Sequence, residues 1–210
     1  MIRDNYAIQV QQAKDCFLRY DQEQLIRKLH IQADEEYLYV NMLCKLYRVS
    51  RTTGDLWYRR GGCWHETNSH AEVMTLMDLV CDSRPDRSLS GKWENMSAFG
   101  LMFHQNLLEE KRDSWAERFQ ANPEALRRAC LALEGVALPQ GDVSYGIELF
   151  EGLRIGLQFW EGDEEFLPRI RYLWDANALM YLKYETMHFA IGLLLRRIGE
   201  EMETPSRLIP

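Results

Sequence analysis

The 210-residue chain has no long apolar run; the longest near the C-terminus, Phe189 to Leu195, is far shorter than the ~20 residues needed to cross a bilayer. No membrane association is expected. The N-terminus opens on Arg3, Asp4 and Asn5, and it lacks the apolar core of a secretory signal. The five cysteines, Cys16, Cys44, Cys63, Cys81 and Cys130, are odd in number and scattered, with no Cys-x-x-Cys. That is how reduced thiols look, so disulfides are not expected and a cytoplasmic location is. Basic excess is missing too. The net charge is -7 and the pI about 5.3. Pairs such as Arg59-Arg60, Arg127-Arg128 and Arg196-Arg197 are too short to build a phosphate-binding surface, so nucleic acid is not an expected partner.

Familiar catalytic motifs are absent. There is no Gly-x-Ser-x-Gly elbow, no dinucleotide glycine fingerprint and no His-Glu-x-x-His. The run Ser88-Leu89-Ser90-Gly91-Lys92-Trp93 holds a Gly-Lys pair, but it lacks the upstream glycine and the following Ser or Thr of a phosphate loop. The balance therefore leans away from an enzyme, although a dispersed catalytic site leaves no such motif.

What is present is the composition of a folded domain: 46% hydrophobic and 27% charged residues. Tyr6, Val10, Ala13, Phe17 and Tyr20 recur at helical spacing and predict a first helix with one buried stripe. Asp21 with Gln24 predicts the cap of a second helix, which buries Leu25, Ile26 and Leu29. The period then shortens, and residues 36–59 read as an antiparallel meander with a turn at Gly54. The paired glycines make 59–68 a loop. Ser69 to Glu72 matches a capping box, opening a helix that buries Val73, Leu76, Met77 and Val80 and ends near Asp82.

A polar connector follows, and helical character returns around 106–119. Asn122-Pro123 is a strong helix start, with Leu126, Ala129, Cys130 and Leu133 as the buried face and Gly135 as the stop. Three strands joined by tight turns then cover 142–175, and a last helix carries Tyr184, His188, Ile191, Leu195 and Ile198 on one side. Together these predict an α+β fold, with antiparallel sheets of hairpins and meanders packed with about five helices. Residues 1–210 are expected to form a single domain, with 82–92 as the candidate seam between two halves.

Gly141-Asp142, the run Trp160-Glu161-Gly162-Asp163-Glu164-Glu165-Phe166, and Leu173-Trp174-Asp175 form a distinctive set in the C-terminal third. On these residues the chain resembles an uncharacterised prokaryotic domain-of-unknown-function family of about this length, known from clostridia and other anaerobes. Its pattern is Gly-Asp before a strand, then Trp-x-Gly-Asp-x-Glu-Phe, then a Leu-Phe-Asp-like motif. The resemblance extends more weakly to Gly91-Lys92-Trp93 and to the helix from Asn122. Where that family commonly has Leu-His-Tyr-Leu, this chain has Met77-Asp78-Leu79-Val80, so any role of that histidine is missing. Some members carry a cysteine-rich iron–sulfur module before the domain. The resemblance therefore implies a link to anaerobic redox or one-carbon metabolism, but no established reaction, and no cofactor is assigned.

Two groups of residues are candidate sites. Glu161, Asp163, Glu164 and Glu165 with Asp175 could supply oxygen ligands to a hard cation if the hairpin folds back. The simpler reading is a solvated turn, in which Trp160, Phe166 and Trp174 do the packing. As candidate ligand-binding residues we take Trp160, Asp163, Glu165 and Asp175. Cys63, His65 and His70 could bind zinc or a haem-like iron, with Cys81 or His104 as an outer ligand, although their spacing fits no standard zinc signature. His188 reads as a core histidine. Three functions stay open: an accessory or ligand-binding domain for an unidentified small molecule or protein partner; a metal-dependent enzyme or metal-binding protein built on either group; and an interaction scaffold.

Overall fold

The computed structural model describes residues 5–100 and 113–204. His104 and the helical signal over 106–112 lie outside the described residues. The chain divides into two compact units. The first comprises Met1–Ser88 with Asn177–Leu193, and the second Leu89–Ala176 with Leu194–Pro210. The class is α+β, with two five-stranded antiparallel sheets and six α-helices among the described residues. No helix among them is long and apolar enough to cross a membrane.

In the first unit, α1 (Asn5–Phe17) buries Val10 and Phe17, but Tyr6, at 64% exposure, is not on the buried stripe and Lys14 is. The reason is electrostatic: the Lys14 ammonium donates to Asp55 at 2.8 Å and to Asn68 at 2.6 Å, so the charge goes inside with partners. α2 (Gln22–Leu29) has the expected cap, with Asp21 accepting from the Gln24 amide. β1 (Gln32–Ala33), β2 (Tyr37–Met42), β3 (Lys45–Ser50), β4 (Leu56–Arg60) and β5 (Cys63–Thr67) form the sheet in simple meander order. Leu38, Val40, Tyr47, Val49 and Leu56 are buried on one face. On the other, the Arg48 guanidinium lies over the rings of Tyr37 and Trp64, at 4.1 and 4.5 Å.

The segment expected to be a loop at 59–68 instead holds the end of β4, a two-residue turn and the whole of β5. Gly61 and Gly62 both have positive φ, 57° and 82°. That is the geometry of the two-residue hairpin turn that joins twisted strands, so the glycines fold the chain back rather than release it. α3 (His70–Met77) starts where predicted, but the Ser69 side chain makes no cap bond. Glu72 is engaged elsewhere: its carboxylate accepts from the Tyr47 and Thr67 hydroxyls, at 2.9 and 2.6 Å. The helix continues as a π-helical turn, Asp78–Asp82, and the Lys28 ammonium donates to the Cys81 carbonyl within it and to the Ser83 carbonyl just beyond it.

The second unit has the sheet order β6-β10-β9-β8-β7, from β6 (Trp93–Asn95), β7 (Val136–Ala137), β8 (Val143–Phe150), β9 (Leu153–Trp160) and β10 (Arg169–Asp175). α4 (Ser114–Ala121) and α5 (Pro123–Ala132) cover one face. Phe119 meets Phe159 edge-on at 5.8 Å, and Leu126, Ala129, Cys130 and Leu133 are buried as predicted. α5 starts as Asn122-Pro123 requires, with Asn122 accepting from the Ala125 amide. α6 (Tyr184–Glu203) contributes its residues to Leu193 to the first unit and those from Leu194 to the second.

Candidate functional site

One face of the second sheet carries the candidate site. Alternation along β9 puts Gly156, Gln158 and Trp160 on that face. Strand register places Ser144 and Arg171 opposite Gln158, Gly146 and Leu173 opposite Gly156, and Arg169 opposite Trp160. β6 pairs with the far edge, with Trp93 opposite Asp175 and Asn95 opposite Leu173.

Two glycines decide what this face can hold. Gly146 and Gly156 are cross-strand partners, and a Cβ at either would lie 3.3–3.4 Å from the Trp93 indole ring. At Gly156 it would also come within 2.9 Å of Leu173 Cβ. The glycines therefore form a floor on which the indole rests. Beside it is a cavity of about 250 Å³, walled by Trp93, Leu138, Leu173 and Pro139 on the apolar side and by Asn95, Gln140, Gln158 and Arg171 on the polar side.

Gln158 is buried and donates one amide hydrogen to the Pro139 carbonyl at 2.9 Å, which ties the β7–β8 connection over the sheet. Ser144, in the same cross-strand row, is 7% exposed, and its hydroxyl has no hydrogen-bond partner among the described residues. The Arg171 guanidinium lies 5.2 Å from the Trp160 ring centre, and that of Arg169 lies 4.5 Å from it.

The residues singled out from sequence fall around this site unevenly. Trp160 sits under the two arginines. Asp175 is buried, and its carboxylate accepts from the Ser90 amide and hydroxyl, both at 2.9 Å, and from the Gly91 amide at 2.8 Å. It thus fixes the loop that delivers Trp93 to the sheet.

Asp163 heads the exposed turn. Its carboxylate accepts from the Glu165 and Phe166 amides, both at 2.8 Å, and these bonds hold its pKa below the ordinary carboxylate value. Glu165 is exposed in the same turn. Gly162 is required there, because a Cβ would lie 2.6 Å from the Pro168 nitrogen. Phe166 does not pack as the sequence suggests: it is 69% exposed at the turn tip, beside Leu167 at 68%, whereas Trp174 is fully buried.

Cys63 and His65 lie on β5, with His65 stacked on Tyr58 at 5.5 Å. His70 stands at the start of α3 between Tyr6 and Phe189, with a ring nitrogen 2.6 Å from the Gln9 side-chain oxygen. Cys81 is buried in the π turn. Among the described residues, no group of three or more His, Cys, Asp and Glu side chains is arranged to hold a metal ion.

A second titratable cluster closes on itself. Lys183 pairs with Asp78 at 3.1 Å and with Asp82, and the Tyr20 hydroxyl donates to Asp82 at 2.6 Å, which raises the Tyr20 pKa. Lys183 bridges the two carboxylates and Tyr20 adds a hydrogen bond, which together anchor the π turn.

Sequence reading missed Trp93, Asn95, Gln158 and Arg171. The alternating pattern Gly156-x-Gln158-x-Trp160, followed by Arg169-x-Arg171, carried the signal for one polar strand face.

The family model described as a domain of unknown function, DUF3786, matches residues 21–197. No curated protein and no solved structure matches the chain.

Proposed function

The chain belongs to this family of unknown function, and from that premise we propose that it is a non-catalytic, ligand-binding accessory domain whose small-molecule ligand occupies the cavity beside Trp93. The observation that carries the reading is the make-up of the wall. Indole, leucine and proline surfaces give a ligand apolar cover, and three side-chain amides and one guanidinium converge on it. Acid–base or nucleophilic chemistry finds no support there. Among the described lining residues Arg171 is the one that is titratable, and a guanidinium keeps its proton at any ordinary pH.

Size narrows the ligand. The volume is below the ~300–1,000 Å³ of ordinary drug- and cofactor-sized sites. Dinucleotides, haem and corrinoids are therefore poor candidates. A cytoplasmic role alongside anaerobic redox or one-carbon enzymes is the setting that the family resemblance adds to this proposal.

The test is a fragment screen by protein-observed NMR on the full chain. Binders are expected to shift the Trp93 indole and Gln158 amide resonances, and to lose affinity when Asn95→Phe plugs the cavity. Binders that ignore Asn95→Phe would overturn the proposal.

A further inference from the structure

We infer that the ligand of this cavity carries a carboxylate, received by Arg171, on a small and largely flat apolar body. The inference rests on the cavity being a binding site, and it adds the chemical class. Charge comes first. In a chain of net charge -7, Arg169 and Arg171 make no salt bridge among the described residues, and both guanidiniums lie over the Trp160 ring. The buried carboxylate on the same face, Asp175, is already held by Ser90 and Gly91 and stands four positions further along β10.

Geometry selects the kind of anion. Among the described lining residues Arg171 is the one guanidinium, a planar fork 5.2 Å from the Trp160 ring centre, which suits the two coplanar oxygens of a carboxylate. Phosphate sites are built differently, from several cations or from successive backbone amides at a helix start or glycine-rich nest. None of the polar lining residues among the described residues belongs to a helix. Beside the guanidinium, the buried Gln158 amide is its cross-strand neighbour and lines the same cavity. It offers polar contact next to the charge, and the Trp93 ring offers a flat apolar wall. The cavity holds the volume of about eight water molecules. A body the size of benzoate or pyruvate fits that space.

Isothermal titration of the full chain with acetate, pyruvate and benzoate, with the matching amides and with inorganic phosphate, tests this. Three proteins are compared: wild type, Arg171→Gln and Asn95→Phe. Both altered residues are exposed, and unchanged melting temperatures verify the fold. At least one carboxylate is expected to bind tenfold or more tightly than its amide and than phosphate. Arg171→Gln should remove that preference, and Asn95→Phe should remove binding altogether.

Amides that bind as well as acids, indifferent to Arg171→Gln yet lost in Asn95→Phe, would leave the cavity as a site and overturn the carboxylate. So would a preference for phosphate. Absence of any binding that Asn95→Phe abolishes would overturn the binding site itself.

Discussion

Asp175 and Ser90, 85 positions apart, meet so that one carboxylate oxygen accepts both the amide and the hydroxyl of the serine. The second oxygen takes the Gly91 amide, and the loop so fixed runs straight into β6. Asp175→Ala removes a buried acceptor from donors on two exposed residues, Ser90 and Gly91, which water can then reach. A loss of about 1.5–2 kcal/mol in urea unfolding is expected, with Asp175→Asn in between because it keeps one acceptor. Amide hydrogen exchange at Ser90 and Gly91 should accelerate well above the rest of the second sheet. Unchanged exchange there would show that the carboxylate does not hold the loop.

Two glycines should respond to alanine with opposite signs. At Gly156 the new methyl meets Leu173, Leu138 and Trp93 at 2.9, 3.1 and 3.3 Å, so overpacking costs about 1–3 kcal/mol and pushes the indole off its floor. At Gly192, within α6, nothing lies within 4 Å of the added atom. Relief of the helical glycine penalty should then raise stability by about 0.5–1 kcal/mol. Thermal denaturation of the two variants beside wild type settles the pair.

These residues show how far the sequence could be read. Asn122-Pro123, the Asp21 cap and the two strands joined by a tight turn over 142–160 depend on near neighbours, and the helices and strands they announce are present. What sequence did not reveal depends on partners far along the chain. β6 exists because residues 93–95 pair with 173–175, and three residues alone carry no period. Gly146 and Gly156 look like ordinary strand glycines until the indole above them is known. The Gly61-Gly62 turn was legible but was misread as a break, since both glycines serve a hairpin.

Acid should weaken the first unit through Asp55. The hydrogen bond from Lys14, then that from Thr53, holds its pKa below the ordinary value. A depressed carboxylate stabilises the fold above its unfolded-state value, near pH 4, and that contribution fades as pH falls through the lower folded value. Asp55→Asn should therefore flatten the stability profile below about pH 4. At neutral pH it should cost stability by weakening the anchor of buried Lys14. Parallel acid profiles for variant and wild type would exclude this linkage.

Thiol labelling separates the cysteines by burial. Cys16, Cys44 and Cys63 are exposed, while Cys81 and Cys130 are buried, and burial pushes both of the latter up to about 12. The thiolate is the nucleophile, so at pH 8 these two combine a tiny reactive fraction with a closed approach. Native protein treated with a small alkylating reagent should gain three adducts quickly, and the remaining two only on the timescale of opening or after denaturation. Peptide mapping assigns the order. Fast labelling of Cys130 in the native state would mean that α5 opens readily, while slow labelling of Cys63 would mean that something covers the β4–β5 turn.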